Sequence, residues 1–86
     1  MPSVTLTYDA AMQLGDLPKP IKLRMTELLI RLADWPNVSG AKPLAGNLAG
    51  HYRLRTGDYR LQFRIADGQI VVEQVGHRDG FYDERD

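Results

Sequence analysis

The sequence predicts an α+β domain: a small antiparallel β-sheet with two N-terminal helices packed on one face. Three observations carry this. An apolar stripe at helical spacing runs through residues 21–32, and period-2 alternation fills residues 51–77. Gly57-Asp58 and Asp67-Gly68 punctuate that alternation as two-residue hairpin turns.

In chain order, Val4, Leu6 and Tyr8 alternate with Ser3, Thr5 and Thr7, as in a strand with one apolar face. Asp9 is expected to cap a short helix through Ala10–Leu14, closed near Gly15. Ile21, Met25, Leu28, Leu29 and Leu32 form the stripe of the second helix, with Pro18 and Pro20 at its start. Pro36 should stop it at about Trp35. Residues 36–50 hold three glycines and two prolines and read as a loop, with Leu44 and Leu48 pinning it to the core. From His51 the chain reads as a three-strand meander.

The turns fix a register that the side chains can test. About Gly57-Asp58 the opposed pairs are Thr56:Tyr59, Arg55:Arg60, Leu54:Leu61, Arg53:Gln62 and Tyr52:Phe63. Beyond the turn-adjacent pair, apolar meets apolar and polar meets polar, whereas a three-residue loop breaks the match. About Asp67-Gly68 the regular register gives Ile65:Ile70, Phe63:Val72, Gln62:Glu73 and Arg60:Val75. Tyr52, Leu54, Leu61, Phe63, Ile65, Ile70 and Val72 then share the face that the helices cover. Arg53, Arg55 and Arg60 gather on the other face, and regular alternation adds His77 to it.

Eighty-six residues allow one domain, residues 1–86, with no room for a second core. There is no cysteine, which excludes disulfides and thiolate chemistry and fits a reducing, cytoplasmic location. No apolar run approaches the ~18 residues of a membrane span, and Met1-Pro2-Ser3 does not open like a signal peptide. The net charge of zero conceals segregation: residues 1–41 are neutral, 42–64 sum to +4 and 65–86 to −4. Screening over ~8–10 Å lets such patches act separately. Opposed arginines destabilise a sheet, so their clustering points to an anionic partner, and the guanidinium fork suits phosphate. The blander alternative is neutralisation within the chain by Glu73 and the C-terminal acids. His51 and His77 lack carboxylates at metal-ligand spacing, so no metal and no cofactor are expected.

The residues Lys42-Pro43-Leu44, Gly50-His51-Tyr52-Arg53-Leu54-Arg55, Gly57-Asp58-Tyr59-Arg60, Val75-Gly76-His77-Arg78 and Phe81-Tyr82 resemble the RelE/ParE superfamily, toxins of type II toxin–antitoxin systems. The resemblance spans nearly the whole chain. Its RelE branch implies a ribosome-dependent mRNA endonuclease that uses the RNA 2′-hydroxyl to attack the adjacent phosphate, without metal. Carried over by position, Arg53 and Arg55 would serve proton abstraction and charge stabilisation, and Arg60 would clamp the phosphate. Arg78 would be the general acid, Tyr82 would stack on a base, and Lys42 would join Arg53, Arg55 and Arg60 in holding RNA. A guanidinium stays protonated below pH ~12 and is a poor base, which makes His77 a secondary catalytic candidate. The resemblance also implies a cognate antitoxin, the ribosome and mRNA as partners, and operator DNA only for the toxin–antitoxin complex. Two alternatives remain: a ParE-like toxin that inhibits DNA gyrase without cutting, and a degenerate module that only binds antitoxin.

Overall fold

A computed structural model describes residues 2–80. Its elements are β1 (Val4–Leu6), α1 (Tyr8–Gly15), α2 (Lys19–Leu32), β2 (Lys42–Pro43), β3 (His51–Thr56), β4 (Tyr59–Ala66) and β5 (Gln69–His77), followed by a 3-10 turn, Arg78–Gly80. The strands form one sheet in the order β1-β5-β4-β3-β2. The α+β class is as expected, but the sheet is mixed, because β1 runs parallel to β5. It also gains an edge strand from the expected loop, Lys42 opposing Arg53 and Pro43 opposing Tyr52. Two residues flanked by glycines carry too little periodicity to read as a strand.

Both hairpins have two-residue turns, flanked by Thr56–Tyr59 and Ala66–Gln69. Gly57 has φ +61, whereas Asp67 and Gly68 have φ 52 and 75. One positive φ at the first central residue suits a type II′ turn, and two suit type I′. Every expected pair across β3 and β4 is present.

Across β4 and β5 the regular register holds only as far as Phe63–Val72. An irregularity at Gln62/Phe63 then shifts the pairing to Gln62–Gln74, Leu61–Val75, Arg60–Gly76 and Tyr59–His77. Glu73 is the extra residue of a β-bulge. The expected pairs Gln62:Glu73 and Arg60:Val75 are therefore corrected by one residue. The physical gain is that Val75 turns into the core, where it is 3% exposed.

Met25, Leu28 and Leu32 of α2 pack against Leu54, Leu61, Phe63, Ile70 and Val72. Ile65, expected under the helices, is half open at 38% because it lies next to the second turn. Trp35 meets Tyr52 and Phe63 edge-on at 4.8 and 5.3 Å, closing one side of the core. Val38 and Ala41 tie the 36–50 segment to the core in the role expected of Leu44 and Leu48. Helix α2 ends at Leu32, three residues before Trp35, and continues in turns.

The cap of α1 is Thr7 rather than Asp9: its Oγ1 accepts from Ala10 N–H at 3.1 Å, which leaves Asp9 in the first turn. Where β1 ends, this segment takes over the outer edge of β5. Thr7 N–H donates to the Val72 carbonyl at 2.9 Å, and Val75 N–H donates to Gln13 Oε1 at 2.8 Å. A side chain of α1 thus satisfies a backbone donor beside the bulge.

Replacing Gln13 by Ala strands that amide in a buried setting, and we expect a loss of about 1–3 kcal/mol. A urea titration measures it, with exposed Glu27→Ala as a control expected to stay within about 0.5 kcal/mol of the parent.

Candidate functional site

Four elements bring the arginines together. Strands β3 and β4 set Arg55 directly opposite Arg60 through the Gly57-Asp58 turn. Beyond β5 the chain folds back, and Arg78 N–H donates to the Asp58 carbonyl at 2.8 Å, which fixes Arg78 beside that turn. Helix α2 contributes Arg31, whose Nη2 donates to the Ser39 carbonyl at 2.9 Å and lies 3.4 Å from Ser39 Oγ. Between them lies a cleft of about 480 Å³, lined by Arg31, Ser39, Gly40, Leu54, Arg55, Gly57, Asp58, Arg60 and Arg78. Among the described residues its lining carries four guanidiniums and one carboxylate, a formal +3. The volume suits a ligand larger than a single phosphate.

The arginines differ in their surroundings. Arg60 is 6% exposed and Arg53 is 4% exposed, whereas Arg55 and Arg78 are open. The expectation of three solvent-facing arginines is therefore corrected for two of them. Strand β2 makes β3 an interior strand, so Arg53 is flanked by Lys42 on one side and Gln62 on the other. Lys42 itself is exposed on β2. Neither Arg53 nor Lys42 lines the cleft. Arg78 has Asp79 as a loose companion, 3.8 Å from its Nε, in a pair too exposed to hold it firmly.

His77 does not join this face. The bulge at Glu73 reverses the alternation of β5, so His77 opposes Tyr59 and leaves the face of Arg60. Its ring packs edge-on to Tyr59 at 5.2 Å, and its Nδ1 accepts from Asp79 N–H at 3.1 Å. Tyr82 lies outside the described residues.

The far end of the arginine face is neutralised within the chain. Glu73 Oε1 lies 2.6 Å from His51 Nδ1 and 3.4 Å from Gln62 Nε2, and its Oε2 accepts from Arg64 Nε at 3.1 Å. The bulge thus removes His77 from the face, while Glu73 stays on it. The blander expectation of internal neutralisation holds for Arg64 through Glu73; the C-terminal acids, its other part, lie outside the described residues. Among the described residues, no three His, Cys, Asp or Glu side chains gather in a way that could hold a metal ion.

Arg31 and Asp58 were missed as cleft residues in the sequence. Arg31 reads there only as a polar position between stripe residues, although it lies seven residues after Arg24, on the same helix face. Gly57 lies close to that stripe, since a Cβ placed on it would sit 3.7 Å from Arg24 Nη1.

Residues 4–80 match the family described as ParE toxin of type II toxin–antitoxin system, parDE. The chain is 33% identical over 82 residues to toxin RelG of Mycobacterium tuberculosis, covering 93% of this chain and 94% of the relative. It is 37% identical over 73 residues to toxin RelE of the same organism, covering 84% of this chain and 74% of the relative. Among solved structures, a chain of the toxin–antitoxin complex RelBE2 from M. tuberculosis superposes with a TM-score of 0.77 at 33% identity, covering 90% of this chain and 91% of that one. The isolated Escherichia coli RelE toxin shares the fold at a TM-score of 0.75 and 16% identity, covering 90% of this chain and 84% of that one. The match over almost the whole domain and the common sheet-and-helix architecture agree: this chain belongs to the RelE/ParE superfamily and is a RelE-like toxin of a type II toxin–antitoxin system.

Proposed function

We propose that this toxin is an endoribonuclease that cuts mRNA on the translating ribosome, using the RNA 2′-hydroxyl as nucleophile. The convergence of Arg31, Arg55, Arg60 and Arg78 on one cleft is the observation that supports it most. In this reaction the 2′-oxygen bonds to phosphorus while the bond to the 5′-oxygen breaks. The products are a 2′,3′-cyclic phosphate and a 5′-hydroxyl. No metal takes part in this scheme. The dianionic phosphorane gains charge that the scissile phosphodiester lacks, so donors fixed in advance stabilise it selectively.

Arg60, largely withdrawn from water by its neighbours, clamps the non-bridging oxygens, because a desolvated guanidinium interacts with phosphate more strongly than a solvated one. Arg55 supplies a second fork from the opposing strand. Arg78, tethered through its backbone at the turn, meets the departing 5′-oxygen. An alkoxide is a stronger base than guanidine, so proton transfer from Arg78 runs downhill as the bond breaks. Arg31 binds the RNA backbone from the helix side. Arg53 and Lys42 extend the positive strip along β3 and β2, and Tyr82 is the proposed stacking partner for a base.

A cognate antitoxin is the second proposed partner. Tyr8, Met12, Leu23 and Ile30 stand on the outer helix surfaces at 78, 51, 62 and 68% exposure, an apolar area suited to an amphipathic partner. The similar M. tuberculosis chain comes from a toxin–antitoxin complex. With the antitoxin bound, operator DNA becomes a proposed target of the complex. The ParE family match supports a second reading, a toxin that blocks DNA gyrase without cutting.

Two tests follow. After induction, primer extension on translating ribosomes should reveal codon-phased mRNA ends. Arg60→Ala and Arg78→Ala should each reduce them at least 100-fold, as expected for lost transition-state contacts. Growth arrest with accumulated gyrase–DNA complexes and no new ends would establish the second reading instead. Separately, Arg31→Ala should raise KM about 5- to 20-fold at nearly constant kcat, as for a lost charge-assisted phosphate contact of ~1–2 kcal/mol. Single-turnover kinetics on ribosome-bound mRNA measure that split.

A further inference from the structure

The reaction needs a base to take the 2′-hydroxyl proton, and the arginines do not supply one. A guanidinium is already protonated and has no lone pair to offer. His77, the candidate expected from the sequence, faces Tyr59 across the bulged register. His51 is two turns of the pleat away from Arg55 on β3, and its Nδ1 is held by Glu73. Among the described residues that line the cleft, Asp58 is the one that carries a carboxylate, a group with lone pairs to accept a proton.

Three features of Asp58 go beyond its presence. It occupies the second central position of the β3–β4 turn, on the same hairpin as Arg55 and Arg60. Its backbone carbonyl receives the Arg78 amide, so Asp58 and Arg78 are held at a fixed separation along one short path. It is exposed to solvent in a cleft that it lines together with four arginines.

We propose that Asp58 is the general base of the cleavage reaction, an inference that rests on the endonuclease reading above. The carboxylate accepts the 2′-hydroxyl proton as the 2′-oxygen bonds to phosphorus. Arg78 protonates the 5′-oxygen as the P–O bond breaks, and solvent later returns both groups to their starting states. Base and acid thus sit on a single backbone hydrogen bond, on the two sides of a phosphate clamped by Arg55 and Arg60. Such a base contributes about 10²- to 10⁴-fold in rate.

Asp58→Asn separates this role from a structural one, because asparagine serves the turn as well as aspartate does. On ribosome-bound mRNA, D58N should lower kcat at least 100-fold with KM nearly constant and the melting temperature unchanged, and Asp58→Glu should recover part of the loss. An mRNA carrying a 5′-bridging sulfur at the scissile phosphate distinguishes base from acid, since a thiolate leaves without protonation. That substrate should rescue Arg78→Ala and leave D58N slow. Cleavage by D58N within threefold of the parent, with Arg60→Ala inactive, overturns the role of Asp58 alone. So does rescue of D58N by the thio substrate. An intact toxin that cuts no mRNA overturns the endonuclease reading and this inference together.

Discussion

The Gly57-Asp58 turn is the constraint on which the rest of the site depends. With two central residues and a positive φ at Gly57, it sets Arg55 against Arg60 and Leu54 against Leu61 at once. One residue more would exchange the faces of β4 and send Leu61 and Phe63 outward. The same register that buries the core therefore brings two guanidiniums together. Core packing holds the arginines in place, because slipping apart would expose the two side chains on which α2 rests.

The second constraint is the bulge at Glu73. It lets β5 stay apolar towards the helices at both Val72 and Val75, which regular alternation forbids. The face opposite the helices has two ends. At one end Glu73 engages His51 and Arg64, and the charge is balanced locally. At the other end Arg55, Arg60 and Arg78 meet Arg31 around the cleft, with one carboxylate, Asp58, among its described lining. The neutral total of the chain thus coexists with a cleft whose described lining sums to +3, and an anion entering it would experience that local charge rather than the total.

Much of this was legible in the sequence, for identifiable reasons. The turns and the α2 stripe are local signals, and each was strengthened by agreement with the other: the register chosen for polar matching is the one that gives α2 a continuous apolar face. What escaped depends on contacts between distant segments. The parallel pairing of β1 with β5 needs a partner 66 residues away, Val4 to Ile70. The bulge leaves no local mark, since Val72-Glu73-Gln74-Val75 alternates poorly in either register. Thr7 and Asp9 are both good caps, and the choice between them rests on where β1 ends. Arg31 joins the cleft only because Ser39 lies beside the end of α2, which spacing along the chain cannot reveal. The strand register gathered Arg53, Arg55 and Arg60, the resemblance to RelE-like toxins added Arg78 and the roles, and the geometry redistributed them.

The central claim is that the arginines form a preorganised anion site around a guanidinium largely withdrawn from water. Urea unfolding at constant ionic strength, with inorganic phosphate replacing chloride, tests this directly. An anion that binds only the folded protein raises its stability by RT ln(1 + [L]/Kd), about 1.4 kcal/mol when phosphate stands ten times above its dissociation constant. The account predicts that the midpoint of the parent toxin rises with phosphate and that this response disappears in Arg60→Met, while Arg64→Met, at the neutralised end of the same face, keeps it. An equal response in all three proteins would contradict the claim.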